Sequence, residues 1–139
     1  MPLVSNIVEI EGLKMLDGGI ADSIPLRYFQ EQGYKKNIVV LTRPKEYRKG
    51  PNKLMSIMRL KYKPYPKLLE TMANRHNVYN ETLEYIESET EKRNVLVIRP
   101  DYDLPLSKVE KDPEKLKKVY EIGRAAALEK IDEIKSFLE

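Results

Sequence analysis

The sequence predicts an α/β protein with a short, largely parallel sheet flanked by helices and preceded by a β-hairpin. Three observations carry this. The runs Ile38-Val39-Val40-Leu41 and Val95-Leu96-Val97-Ile98 are short, continuously apolar and rich in β-branched residues, as parallel strands buried on both faces are. Apolar residues recur at helical spacing between those runs and again beyond residue 112. Glu11-Gly12 separates Ile7-Val8-Glu9-Ile10 from Leu13-Lys14-Met15-Leu16, and glycine tolerates the positive φ that a tight hairpin turn demands.

In chain order, the second hairpin strand leads into Asp17-Gly18-Gly19. Pro25 opens a helix over Leu26 to Gln32, which Gly33 stops. The first apolar strand follows, then a turn-rich stretch from Arg43 to Pro51. Leu54, Met55, Met58 and Leu60 predict a short helix with basic side chains outward. Leu68, Leu69, Met72, His76, Tyr79, Leu83 and Ile86 predict a long helix with a break near Asn77 to Asn80. The second apolar strand ends at Pro100. Asp112 is placed to cap and Pro113 to begin a final helix over 112–138, lined on one face by Leu116, Val119, Tyr120, Gly123, Ala127, Ile131, Ile134 and Leu138. No repeat or linker interrupts this order, so a single domain over 1–139 is expected.

The 139 residues are enough to bury a core. Hydrophobic residues at 41% and charged residues at 34% give a normal globular balance. No run approaches the roughly 18 apolar residues of a membrane span. The N-terminus lacks the basic patch and long apolar stretch of a secretory signal, and there is no cysteine for a disulfide. A cytoplasmic location is expected, with peripheral membrane contact as a further option.

One constellation promises chemistry, namely Asp17-Gly18-Gly19-Ile20-Ala21-Asp22-Ser23-Ile24-Pro25. A carboxylate at the end of a buried strand, followed by two glycines, sits on a rigid element beside backbone that a ligand can approach closely. That suits a general base, provided burial or hydrogen bonding tunes a group whose free pKa is about 3.9. The competing reading is an ordinary Asp-Gly turn. Ser23 reads as a turn or cap residue, Asp22 as a turn residue, and His76, in phase with Met72 and Tyr79, as a packed, hydrogen-bonded histidine. A single histidine without cysteine argues against zinc, and Asp101 and Asp103 alternate along an extended segment, so neither metal nor cofactor is expected. Glu84, Glu87, Glu89 and Glu91 read as a solvated face.

The wider wording adds to this. Asp17 to Pro25, Gly33-Tyr34 and Ile38-Val39-Val40-Leu41-Thr42-Arg43-Pro44, in that order, resemble the carboxy-terminal half of the patatin-like phospholipases. Arg75-His76-Asn77-Val78-Tyr79-Asn80, Val97-Ile98-Arg99-Pro100 and Asp112-Pro113-Glu114-Lys115-Leu116 are similar to the bacterial branch of that family. The likeness runs from about Ser5 to Leu138 and lies in the ordered series rather than in any one motif. It implies part of a three-layer sandwich in which Asp17, flanked by Gly18 and Gly19, is the base of a Ser-Asp dyad that hydrolyses lipid acyl esters. The family's nucleophile sits in Gly-x-Ser-x-Gly, and none of Ser5, Ser23, Ser56, Ser88, Ser107 or Ser136 does. No glycine-rich oxyanion loop precedes Asp17 either. The chain therefore resembles a hydrolase cut before its second catalytic residue and is expected to be inactive alone. Its expected partners are a lipid or ester substrate in the complete protein and either a second copy or the missing amino-terminal half, because strands without their neighbours leave an open sheet edge.

The mild net charge of +3 hides a basic segment over 43–67, where Arg43, Lys45, Arg48, Lys49, Lys53, Arg59, Lys61, Lys63 and Lys67 face the lone acid Glu46. Tyr47, Tyr62 and Tyr65 are interleaved. A solvated surface, an anionic membrane and nucleic acid are the three readings, and the last has no supporting motif, so nucleic acid is not expected. A non-catalytic α/β module that binds an anionic partner through this segment is the alternative to the hydrolase.

Overall fold

A computed structural model describes residues 6–107 and 109–139. Ser5, where the resemblance begins, lies outside them. In chain order the elements are β1 (Val8–Ile10), β2 (Leu13–Met15), a 3₁₀ turn (Gly18–Ile20), α1 (Leu26–Glu31), β3 (Asn37–Val40), α2 (Met55–Lys61), α3 (Pro66–Glu91), β4 (Val95–Ile98), α4 (Pro113–Glu129) and α5 (Ile131–Leu138). The protein is thus mixed α/β, with a β-hairpin, a two-stranded parallel sheet and several helices.

Two compact units form. One takes the chain through Pro25 together with Arg48–Tyr85, and the other takes Leu26–Tyr47 with Ile86–Glu139. In the first, β1 and β2 pair antiparallel with Ile10 opposite Leu13, leaving Glu11 and Gly12 as a two-residue loop. Both have positive φ, 52° and 77°, as a type I′ turn requires. The hairpin is exposed along its length, so the buried strand expected before Asp17 is an exposed one. Two strands alone cannot cover each other's faces.

The core of this unit is Ile20, Met58, Tyr62 and Met72, with Leu16, Met55, Leu68 and Leu69 packed around it. Helix α2 buries Met58 and packs Met55 against the core, as its sequence predicts, but Leu60 is 81% exposed, whereas Tyr62, just past the last turn, is 1% exposed. The N–H of Tyr62 reaches the Met58 carbonyl at 2.8 Å, and that of Tyr65 reaches the Tyr62 carbonyl at 2.8 Å, which turns the chain tightly into α3. Helix α3 has no break at Asn77 to Asn80. Asparagine disrupts helices when its side chain competes for nearby backbone groups. Here the Asn77 side chain donates to that of Asn74 at 2.8 Å, while Asn80 clasps the backbone of Lys49, accepting from its N–H at 2.8 Å and donating to its carbonyl at 3.0 Å.

In the second unit β3 and β4 run parallel in the register Asn37↔Val95 to Val40↔Ile98. Val95 and Leu96 are buried, but β3 buries Val39 and leaves Val40 69% exposed, so β3 is covered on one face only. Glu89 is 5% exposed rather than part of a solvated face. Its carboxylate accepts from Lys92 Nζ and Gln30 Nε2, each at 2.8 Å, and from Asn94 Nδ2 at 3.0 Å. Glu87 likewise pairs with Arg99 at 2.7 Å and Lys45 at 3.3 Å. Asp112 caps α4 as expected, accepting from Glu114 N–H at 3.0 Å, with Pro113 in the first turn. The span 112–138 is not one helix, however, because Lys130 leaves helical geometry at φ −98° and ψ 7°. Asp132 and Glu133 then lie in the first turn of α5, where the helix dipole favours negative charge. No residue of α4 or α5 is buried: Val119, Ala127 and Ile134 are half-buried, while Leu116, Tyr120, Ile131 and Leu138 stand exposed.

Candidate active site at the Asp17 turn

After β2 the chain enters the 3₁₀ turn through Asp17, whose extended backbone at φ −52° and ψ 116° lets its own side chain cap the turn. Asp17 Oδ1 accepts from the Gly19 N–H at 2.9 Å. The Ile20 N–H reaches the Asp17 carbonyl at 3.1 Å, and the N–H groups of Ala21 and Asp22 both reach the Gly18 carbonyl at 3.0 Å. Burial of Ile20 in the core pins the far end of the turn. Asp22 stays within the loop, accepting from the Ile24 N–H at 3.1 Å.

A brace reaches this turn from α3. Arg75 Nε donates to the Gly19 carbonyl at 2.7 Å, and its Nη2 donates to Ser23 Oγ at 3.2 Å. Ser23 Oγ in turn donates to the same carbonyl at 2.7 Å. Ser23 is therefore a structural hydroxyl, as its place in the sequence suggests. The sequence singled out Arg75 only as part of the Arg75 to Asn80 motif and gave it no role at the turn, although its spacing of three from Met72 puts it near the core-facing side of α3.

The two glycines differ. A Cβ on Gly19 would stand 3.2 Å from Asp17 Oδ1 and 3.7 Å from Arg75 Nη2, so a side chain there would press on the carboxylate. A Cβ on Gly18 would meet nothing within 4 Å. Neither glycine is needed for positive φ. Gly19 serves a close approach, and Gly18 leaves the backbone open beside Asp17.

Asp17 itself is exposed. The Gly19 N–H, aided by the positive charge of Arg75, holds its carboxyl below the ordinary 3.8. Desolvation acts in the opposite direction but is outweighed, and a base needs more cover than this to act near neutral pH.

His76 Nδ1 lies 3.0 Å from the Ala73 carbonyl on its own helix. Asp103 pairs with Arg43 at 2.9 Å, and among the described residues no group of three or more His, Cys, Asp or Glu could hold a metal ion. The basic segment 43–67 is divided between the two units at Tyr47 and Arg48. Several of its cations are engaged: Arg43 lies over Tyr47, Lys45 pairs with Glu87, and Lys49 Nζ is 4.4 Å from the centre of the Tyr79 ring. Tyr62 is core and offers no stacking face.

A family model described as a domain of unknown function, DUF6363, matches residues 65–139, more than half of the chain. The chain belongs to the DUF6363 family. The DUF6363 match begins at the link into α3 and takes in Arg75, β4, α4 and α5, while the Asp17 turn precedes it. No curated protein and no solved structure matches the chain. Among the described residues no helix is long and apolar enough to cross a membrane.

Proposed function

We propose that this chain supplies the general-base segment of a patatin-like serine acyl hydrolase acting on lipid or related esters. Asp17 is the base, Gly18 and Gly19 shape the turn beside it, and another stretch of polypeptide brings the serine nucleophile. The reading rests on one observation beyond the sequence motif: an exposed carboxylate is held by a turn that Arg75 and Ser23 brace, with open space at Gly18. A segment docking there would cover Asp17, weaken its contact with water and raise its pKa toward that of a working base. The open apolar side of β3 and the exposed face of α4 and α5 support the same reading, since they suit either the complementary segment or a second copy of the chain. A lipid substrate would also bring the basic segment close to an anionic membrane surface, though the pairing of its cations reduces the charge it can offer.

The test is hydrolysis of p-nitrophenyl butyrate. The purified chain alone shows no turnover, and mixing it with a polypeptide that carries the Gly-x-Ser-x-Gly segment restores turnover, which Asp17→Asn abolishes. Turnover by the chain alone, lost in Asp17→Asn, would contradict the need for a second segment. Restored turnover that survives Asp17→Asn would remove Asp17 from the mechanism.

A further inference from the structure

The first unit also contains a cleft of about 280 Å³ whose lining includes the apolar Ile20, Ala21 and Val78 and the polar Thr71, Asn74 and Arg75. Arg75 is the informative member. A guanidinium carries five N–H groups in a fixed plane, arranged as two forks. One fork, formed by Nε and Nη2, is occupied: its acceptors are the Gly19 carbonyl and Ser23 Oγ, which are themselves hydrogen-bonded at 2.7 Å and so lie side by side. The other fork, with one N–H from each terminal nitrogen, has neither an acceptor nor an ion pair among the described residues. A permanently charged group anchored on one edge and unused on the other is preorganised for a planar oxyanion.

We propose that Arg75 holds a small monocarboxylate in this cleft, its two oxygens on the unused fork and its short alkyl chain against Ile20, Ala21 and Val78. The surrounding charge selects a monoanion over a dianion such as phosphate. Glu70 also lines the cleft, and Asp17 senses the charge of Arg75, so two acids already oppose one cation. The site uses a part of Arg75 that the brace leaves over and requires nothing of Asp17 as a base. It therefore stands or falls separately from the acyl-hydrolase reading.

The test is an ¹⁵N NMR titration of the full chain with sodium butyrate, chloride being exchanged to hold ionic strength constant. Saturable shifts at the Gly19, Ile20 and Ala21 amides and at Arg75 Nε–H are expected, with a Kd on the order of millimolar. Acetate binds more weakly, by up to about fourfold for each methylene no longer buried, and inorganic phosphate binds more weakly than butyrate. Arg75→Lys keeps the charge but lacks the fork, and it loses roughly tenfold in affinity. Should that variant fail to fold, Glu70→Gln decides, because removing the competing acid tightens butyrate binding about two- to threefold. Linear, unsaturated shifts overturn the proposal. So do phosphate binding as tight as butyrate, undiminished binding in a folded Arg75→Lys protein, or no tightening in Glu70→Gln.

Discussion

Asp17 and Glu89 are both carboxylates held below their ordinary pKa, yet they achieve it in opposite settings. Asp17 is exposed and owes its shift first to one backbone N–H, that of Gly19, within its own turn. Glu89 is buried, and the Lys92 ammonium, the Asn94 amide and the Gln30 amide together outweigh the desolvation that would raise it. The first arrangement centres on a local turn and leaves the carboxylate exposed. The second ties α1, the end of α3 and the start of β4 to one group, so its charge serves the fold. A depressed carboxyl therefore does not mark function by itself, because its surroundings decide what the charge is for.

The largest effect is expected where the carboxylate is buried. Glu89→Ala leaves donors on Gln30, Lys92 and Asn94 without their acceptor and should lower stability by about 2–3 kcal/mol, measured by urea unfolding. The pH dependence has a definite sign. The folded carboxyl of Glu89 titrates below the ordinary 4.5, so its contribution is complete above that value and is lost as the pH falls through the lower folded value. Glu89→Gln should therefore flatten the loss of stability on acidification below about pH 5. An unchanged acid slope would show that the charge on Glu89 is not what joins these elements.

A smaller effect is expected at the exposed carboxylate. In Gly19→Ala the new Cβ, 3.2 Å from Asp17 Oδ1, should push the carboxylate off the Gly19 N–H and let its pKa rise toward 3.8, as followed by NMR titration. Gly18→Ala, whose Cβ meets nothing within 4 Å, should leave that pKa unchanged. Equal shifts in both variants would mean that the turn answers to backbone freedom rather than to crowding at Gly19.

The same contrast explains what the sequence made legible. Glu11-Gly12, the two β-branched runs and Asp112-Pro113 each carry their cause within a few residues, and the hairpin, the parallel pair and the α4 cap all follow. Which faces are covered depends on neighbours. A continuously apolar run such as Ile38 to Leu41 has no alternation that tells one buried face from two, so the exposure of Val40 was hidden. Glu89 was lost among glutamates, although its spacing of three from the buried Ile86 places it beside that residue on the helix. Asp17 was legible as a residue but not as an environment. Its brace comes from Arg75, 56 residues from the Gly19 carbonyl it grips, and no local pattern announces that pairing.

The smallest expected effect concerns the backbone that presents Glu89. Helix α3 ends with the Asn94 N–H on the Glu89 carbonyl at 2.9 Å and the Arg93 N–H on the Thr90 carbonyl at 3.0 Å, while Arg93 itself is left-handed at φ 59°. Helix α1 ends by the same double bond, Tyr34 to Phe29 and Gly33 to Gln30, but with a glycine, at φ 94°, in the left-handed place. This is the Schellman arrangement, in which glycine escapes the clash that a Cβ meets at positive φ. Against that relief stands the greater freedom glycine loses on folding, which cancels part of the gain. Arg93→Gly should therefore stabilise the chain by only about 0.5–1 kcal/mol, and Gly33→Arg should cost about as much, both measured by urea unfolding. Destabilisation in Arg93→Gly would mean that the arginine side chain contributes more to the Glu89 end of α3 than its strained backbone takes away.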